Sequence, residues 1–257
     1  MMSTDGKPLT TSNNSSIWPV VGMMAQIPHP IRDYHKNIML FGLWHSCVSP
    51  DPDRLLSSIV HDLMVSGAGD LMIDVGTENL IHFDIEVLIV GGDLPARSKC
   101  NKISAHNGFF SCTYCLYEGV SCTQHRHVLY PYVDFKQIRP PPRTKEHIAY
   151  CVEQIKQSNI KAFRTYGVYG LSPLIFNRCK EIYSVHALCH FTEQRFSFGS
   201  LAYHSMFAPE SALHHFSKLA HGTISRGAQI AYWHCINRQI DTLNASPSPQ
   251  IFTQNFF

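Results

Sequence analysis

The stretch His82–Asp93, HFDIEVLIVGGD, decides the fold class. Branched apolar residues crowd it, glycines close it, and Asp93 stands immediately at its C-terminal end, which is the composition of a buried central strand over His82–Gly92. Upstream, Ser16–Gln26 (SIWPVVGMMAQ) is apolar and β-prone and is stopped by Pro28 and Pro30. Asn37–His45 (NIMLFGLWH) follows after a polar turn of hairpin length, so the two runs predict an antiparallel pair. Next, Asp51 or Asp53 can cap a helix in which Leu55, Leu56, Ile59, Val60, Leu63 and Met64 recur at helical spacing and cover one sheet face. These elements predict an α/β chain.

Downstream the pattern changes. Asn107–Ile138 is rich in Cys, His, Tyr and Gly without periodicity, as expected of an irregular segment that needs a staple other than a large core. Pro140, Pro141 and Pro142 make a break, and Lys145–Ser158 (KEHIAYCVEQIKQS) reads as a helix with Ile148, Cys151, Val152 and Ile155 on one face. Further helices are expected after Ser184 and after Pro209, the latter continuing as SALHHFSKLA and closed by Gly222. The organisation expected is 1–106 as the first part of a catalytic domain, 107–183 as a Cys/His-rich and helical insertion, 184–244 as the final helices, and 245–257 as a frayed tail.

At 257 residues and 44% hydrophobic composition the chain can bury a substantial core. Its net charge of +2 lacks the strong basic excess of a complete DNA-binding protein. Sixteen histidines are the oddity, and they would make the chain much more cationic near pH 6. The polar start and the absence of a long apolar run point to neither secretion nor a membrane span, so a nuclear or cytoplasmic protein with no membrane partner is expected. Nine scattered cysteines read as reduced thiols plus a metal site rather than a disulfide framework.

Two constellations carry chemistry. Asp5 in an Asp-Gly turn, Asp93 past a strand and Glu210 at a helix start are three carboxylates on separate elements. Strand cleavage and transfer of nucleic acid uses paired magnesium ions about 4 Å apart, which need hard oxygen ligands converging from rigid elements. Against this, nineteen acids always include some at strand ends. The second constellation is Cys112-x-x-Cys115 with His186-x-x-x-His190, which offers two thiolates and two same-face imidazoles for a closed tetrahedral zinc site. The alternatives are a redox Cys pair with Cys189 and His190 lining an apolar helix face, and Cys122 with His125 and His127 as substitute ligands. Arg97, Lys99 and Lys102 are the basic residues nearest Asp93, suited either to phosphate contact or to an ordinary solvated helix face.

Three blocks resemble the catalytic region of CACTA (En/Spm-like) transposases: DGKPLTTSNNSSIWPVVGMMAQIPHPIR, GGDLPARSKCNKISAHNGFFSCTYC and VHALCHFTEQRFSFGSLAYHSMFAPESALHHFSKLAHGT. The resemblance covers most of the chain from Asp5 to about Gln239. The order of acid, CxxC, HxxxH and final acid is also similar to the core of the V(D)J recombinase. The resemblance implies an RNase H-like mixed sheet with flanking helices and a zinc-pinned insertion. It implies catalytic Mg2+ (or Mn2+) at Asp5, Asp93 and Glu210, and structural Zn2+ at Cys112, Cys115, His186 and His190. DNA is the partner implied, with dimerisation to a homodimer common in such enzymes, no small-molecule substrate, and a nuclear location. Two departures bear on activity. Only four residues precede Asp5, so its strand is expected to be cut short and frayed, and Gly170–Leu174 (GLSPL) is followed almost directly by His186 where family members carry a long helical insertion. A non-catalytic zinc-stabilised DNA- or protein-binding remnant is therefore the competing reading, and a redox protein using Cys112 and Cys115 a third.

Overall fold

Ser16–Met23 forms β3, the strand on which the main sheet is assembled. On one side it pairs antiparallel with β4 (Ile38–Ser46) along its whole length, and on the other with β1 (Met2–Thr4) and β2 (Lys7–Pro8) in succession. Gly42 faces Val20 while Leu40 faces Val21, so Phe41 is the additional residue of a bulge in β4. β7 (Val90–Gly91) runs parallel to β1, with Met2 opposite Val90 and Ser3 opposite Gly91. The computed structural model describes residues 1–9, 14–67, 71–74, 80–83, 85–87, 90–124, 126–131, 140–158, 165–176, 207–221 and 224–245.

The alternation of β3 sends residues to two cores. Val20, with Met2 and Val90, packs on Leu55, Leu56, Ile59 and Val60 of α1 (Pro52–Val65), with Trp18 and Phe41 alongside. Ile17, Val21 and Met23 pack on the opposite face, against Ala212, Leu213 and Phe216 of α4 (Phe207–Lys218) and Ile230 of α5 (Arg226–Ala245). The chain is thus a mixed α/β fold with helices on both faces of a mixed sheet. α1 starts as expected, the Asp51 side chain accepting from the Asp53 and Arg54 amides and Pro52 occupying the first turn. α4 begins slightly ahead of Pro209, at Phe207.

Two expectations are corrected. His82–Gly92 is not one central strand: Leu80–Phe83 (β6) pairs with Leu71–Asp74 (β5) in a separate hairpin, Leu71 opposite Phe83, and among the described residues of the stretch only Val90–Gly91 joins the main sheet. Apolar composition marks a strand without choosing its hydrogen-bond partner, and Leu71–Asp74 supplies one locally. Nor is Asp5's strand frayed. Short as it is, β1 lies between β3 and β7, and Thr4 is only 3% exposed.

Beyond α2 (Leu94–Cys100), the Cys-rich segment carries the hairpin of β8 (Val120–Cys122) and β9 (His127–Leu129) and then α3 (Lys145–Ser158), whose bounds are those expected. Cys151 of α3 is buried with Ile103 and Val168, which also bridge backbone to backbone. The GLSPL motif returns the chain to the main body, the Ser172 hydroxyl donating to the Cys100 carbonyl at 2.7 Å and Leu174 entering the α1 core. The helix expected to carry His186 and His190, and the tail beyond Ala245, lie outside the described residues. Among the described residues no helix is long and apolar enough to cross a membrane.

Candidate functional site

Asp5 follows β1 directly and Asp93 follows β7 by two residues, so the parallel register that sets Ser3 opposite Gly91 brings the two carboxylates to the same level on neighbouring strands. Such strands lie about 4.8 Å apart. Gly92 makes this approach feasible, since a Cβ there would stand 2.7 Å from the Thr4 carbonyl oxygen. Gly6 lies against the Trp18 indole, where a Cβ would come within 2.4 Å of the ring. The Asp-Gly turn interrupts the edge of β3 between β1 and β2 and turns Asp5 out of the ladder.

Burial pushes the Asp5 carboxyl up to about 6, the Asp93 and Glu210 carboxylates add to the rise, and the Gly6 amide opposes it. Glu210, exposed in the first turn of α4, is thereby a neighbour of Asp5 although it comes from the opposite layer of the fold. Asp5 thus feels the charge of both other expected acids, Asp93 more strongly than Glu210. Each strand-end acid is also engaged locally, Asp5 Oδ1 accepting from the Gly6 amide at 2.6 Å and Asp93 Oδ1 capping α2 through the Ala96 amide at 2.7 Å. Among the described residues no three His, Cys, Asp or Glu side chains are gathered closely enough to hold one ion. The donor chemistry nonetheless fits a hard divalent cation: oxygen ligands only, with the Asp5 carboxyl pushed up to about 6 first by burial and then by the Asp93 charge, both of which a cation would offset.

The basic residues after Asp93 are committed within the fold. Arg97 is buried with its stem against Gly92; Lys99 donates to the Ser49 hydroxyl and lies 5.8 Å over the Trp18 ring; Lys102 pairs with Asp53 at 2.5 Å. One basic contact near these elements in the chain was not singled out in the sequence. Lys7 Nζ lies 2.9 Å from His214 Nδ1, and His214 is one helical turn beyond Glu210 on α4. The Glu-x-x-x-His spacing was its only signal.

Cys112 and Cys115 meet as expected. Both are buried, the Tyr114 amide donates to Cys112 Sγ at 3.4 Å, and a hydrogen bond between the two thiols, followed by burial, pushes the Cys115 thiol up. Arg143 organises the surrounding loops, its guanidinium donating to the carbonyls of Cys112 at 2.9 Å, Tyr166 at 3.0 Å and Phe110 at 3.1 Å. Burial of these thiols inside a loop so fixed suits a closed structural site better than an exposed redox pair. Cys122 and His127 face each other across the β8–β9 hairpin, and His125, His186 and His190 lie outside the described residues. Compared with protein-family models and with curated proteins, the chain gives no match.

Proposed function

We propose that the chain is a transposase-derived DNA-processing domain of the CACTA type, built on an RNase H-like fold, whose chemistry is metal-dependent DNA strand cleavage and transfer. One observation carries this reading: Asp5 and Asp93 stand just past the ends of adjacent parallel strands, and Glu210, in the first turn of a helix of the covering layer, acts on the Asp5 carboxyl. The mixed sheet with helices on both faces is what the resemblance implies and supports the reading. Asp5, Asp93 and Glu210 would hold magnesium or manganese, which when bound polarises a phosphodiester and lowers the pKa of a bound water. Asp5 must be ionised to serve, so the chain's own contribution to cation affinity rises through about pH 6. Cys112 and Cys115 would hold a structural zinc with His186 and His190. DNA is the proposed partner, with a second copy of the chain as a homodimer, and the nucleus the proposed location.

The competing reading, a non-catalytic zinc-stabilised DNA- or protein-binding remnant, is favoured by a specific observation: Asp5 and Asp93 are turned onto backbone amides rather than onto a common point. The two are separated by incubating the protein with nicked and branched DNA in magnesium or manganese. Cleavage that disappears in Asp93→Asn upholds the nuclease reading. DNA retained without cleavage, equally by wild type and variant, upholds the remnant.

A further inference from the structure

A second site lies where the short turn before β4 meets α4 and α5. A surface cavity of about 230 Å3 is lined by His35, Lys36, His215, His234, Arg238 and Asp241, drawn from the short helical turn His35–Asn37, α4 and α5. Its walls are held in place. The His35 and His215 rings stack with centroids 4.6 Å apart and planes 30° apart, and His35 Nε2 lies 3.0 Å from the Ser211 hydroxyl. His234 sits edge-on to the buried Phe216 at 5.2 Å, and the Arg238 guanidinium is tied to the Lys36 carbonyl. None of these residues belongs to the acid site or to the thiol site.

The chemistry of the lining selects its ligand. Lys36 and Arg238 are permanent cations set against the single carboxylate of Asp241, and three imidazoles add positive charge when protonated. A transition metal is disfavoured. Stacked rings do not aim their nitrogens at one point, no three His, Cys, Asp or Glu side chains among the described residues are gathered around a common position, and the flanking cations repel a metal. A tetrahedral oxyanion instead accepts from donors spread over several directions, and the guanidinium fork matches its oxygens.

We propose that this cavity is a binding site for a phosphate group, in which Arg238 and Lys36 supply permanent charge and His35, His215 and His234 supply protonatable N–H donors. The phosphate is one of a polynucleotide backbone or a free phosphate ion. The site stands independently of the acids and of any cleavage activity. Its charge balance is set by all the elements around it: His35 and Lys36 from the short turn; His214, His215, Lys218 and the more distant Glu210 from α4; His234, Arg238 and Asp241 from α5. In the empty cavity burial holds His215 and His234 below the usual histidine range, with His35 and Lys218 acting further on His215, and Arg238 and His215 on His234. A bound phosphate favours the charged rings, so its binding takes up protons and tightens as pH falls.

The test follows histidine ring resonances of the full chain by NMR. Two probes are titrated separately: inorganic phosphate, and an oligothymidylate of about eight nucleotides without terminal phosphates, whose diesters keep their charge throughout. The expected result is that His35, His215 and His234 respond together to a probe, with affinity about fivefold or more tighter near pH 6 than near pH 7.5 for the oligonucleotide. Arg238→Gln should weaken binding about tenfold, and Arg238→Lys, which keeps the charge, should weaken it less. Response to the oligonucleotide assigns the site to a polynucleotide backbone, and response to inorganic phosphate alone assigns it to the free ion. Failure of both probes to move these rings, or full affinity in Arg238→Gln with the spectrum otherwise native, overturns the proposal.

Discussion

Ser3 of β1 stands opposite Gly91 of β7 in a parallel register, and two residues further along both strands the same register sets Asp5 level with Asp93. Asp5 thus owes its position to the strand pairing and its raised pKa first to burial, then to its neighbours. The placement costs the metal-free protein stability at neutral pH and makes the carboxyl a sensitive reporter of any cation nearby.

Asp5→Asn should stabilise the metal-free protein near pH 7. The Asp5 carboxyl titrates at about 6 in the folded chain against 3.8 for a free carboxyl, so the folded state holds a proton that the unfolded state has lost between these values. Its contribution is most favourable below about pH 4 and declines as pH rises through 6. The full shift is discounted because the group is partly solvated, leaving about 1–2 kcal/mol. Urea denaturation in chelator at pH 4 and pH 7.5 should show the variant's advantage mainly at the higher pH, with about half of it already present at pH 5. An equal effect at both values would remove the electrostatic explanation.

Gly92→Ala should disturb the acids without touching one. Its methyl would meet the Thr4 carbonyl oxygen at 2.7 Å, a backbone atom that cannot rotate away, and so would push β7 from β1 just where Asp93 emerges. A loss of about 1–3 kcal/mol is expected from overpacking. The Asp5 carboxyl pKa, followed by NMR, should fall as Asp93 withdraws, while burial, its larger cause, keeps it above 3.8. An unshifted carboxyl in the variant would show that the spacing at Gly92 does not set the pair.

Arg143→Lys should cost about 2–4 kcal/mol despite keeping the charge. The guanidinium bridges the carbonyls of Phe110, Cys112 and Tyr166, which belong to separate segments, and one ammonium cannot span them. Equilibrium unfolding monitored by tyrosine fluorescence reads the loss. Wild-type stability would mean that these three contacts are dispensable.

Elemental analysis of the purified chain should give one zinc per molecule, lost in Cys112→Ser, if the buried thiol pair holds metal. Uptake would release the thiol protons, the burial and mutual hydrogen bond of the pair being the reason the Cys115 thiol stands above the usual range without metal. A chain free of zinc whose two thiols react quickly with a disulfide reagent would favour the redox reading instead.

Legibility in the sequence followed the range of the interactions. The alternation of Ile17, Val21 and Met23 with Trp18 and Val20, the Asp51 cap, and the apolar face of Lys145–Ser158 are local patterns, and the elements they imply formed. The acids and the thiol pair stand at element ends and in a short knuckle, so their positions could be read along the chain. The pairing of Leu80–Phe83 with Leu71–Asp74 could not, because apolar composition says nothing about which strand will be adjacent. Met2–Thr4 was too short to show a period, and its burial comes from β3 and β7 on either side and from α1, none of them local to it. The histidine-lined cavity was hidden for the same reason: His35, His215 and His234 are separated by long stretches and are joined only by the packing of α4 and α5 beside the turn His35–Asn37. Sixteen histidines were the visible trace of it.

Asp5 and Asp93 belong to the sheet, whereas Glu210 rides on α4, which is fastened to the sheet by the burial of Ala212, Leu213 and Phe216 against Ile17, Val21 and Ile38. That greasy seam works as a clutch. Loosened, for instance by trimming Phe216, it would leave a sheet that still pairs and two acids still held at its strand ends, while the third slips out of gear. On the proposed function, selection on the site would therefore reach inward to residues of this seam that are not among the acids, and softening an interior contact would disengage Glu210 while every acidic position stays intact.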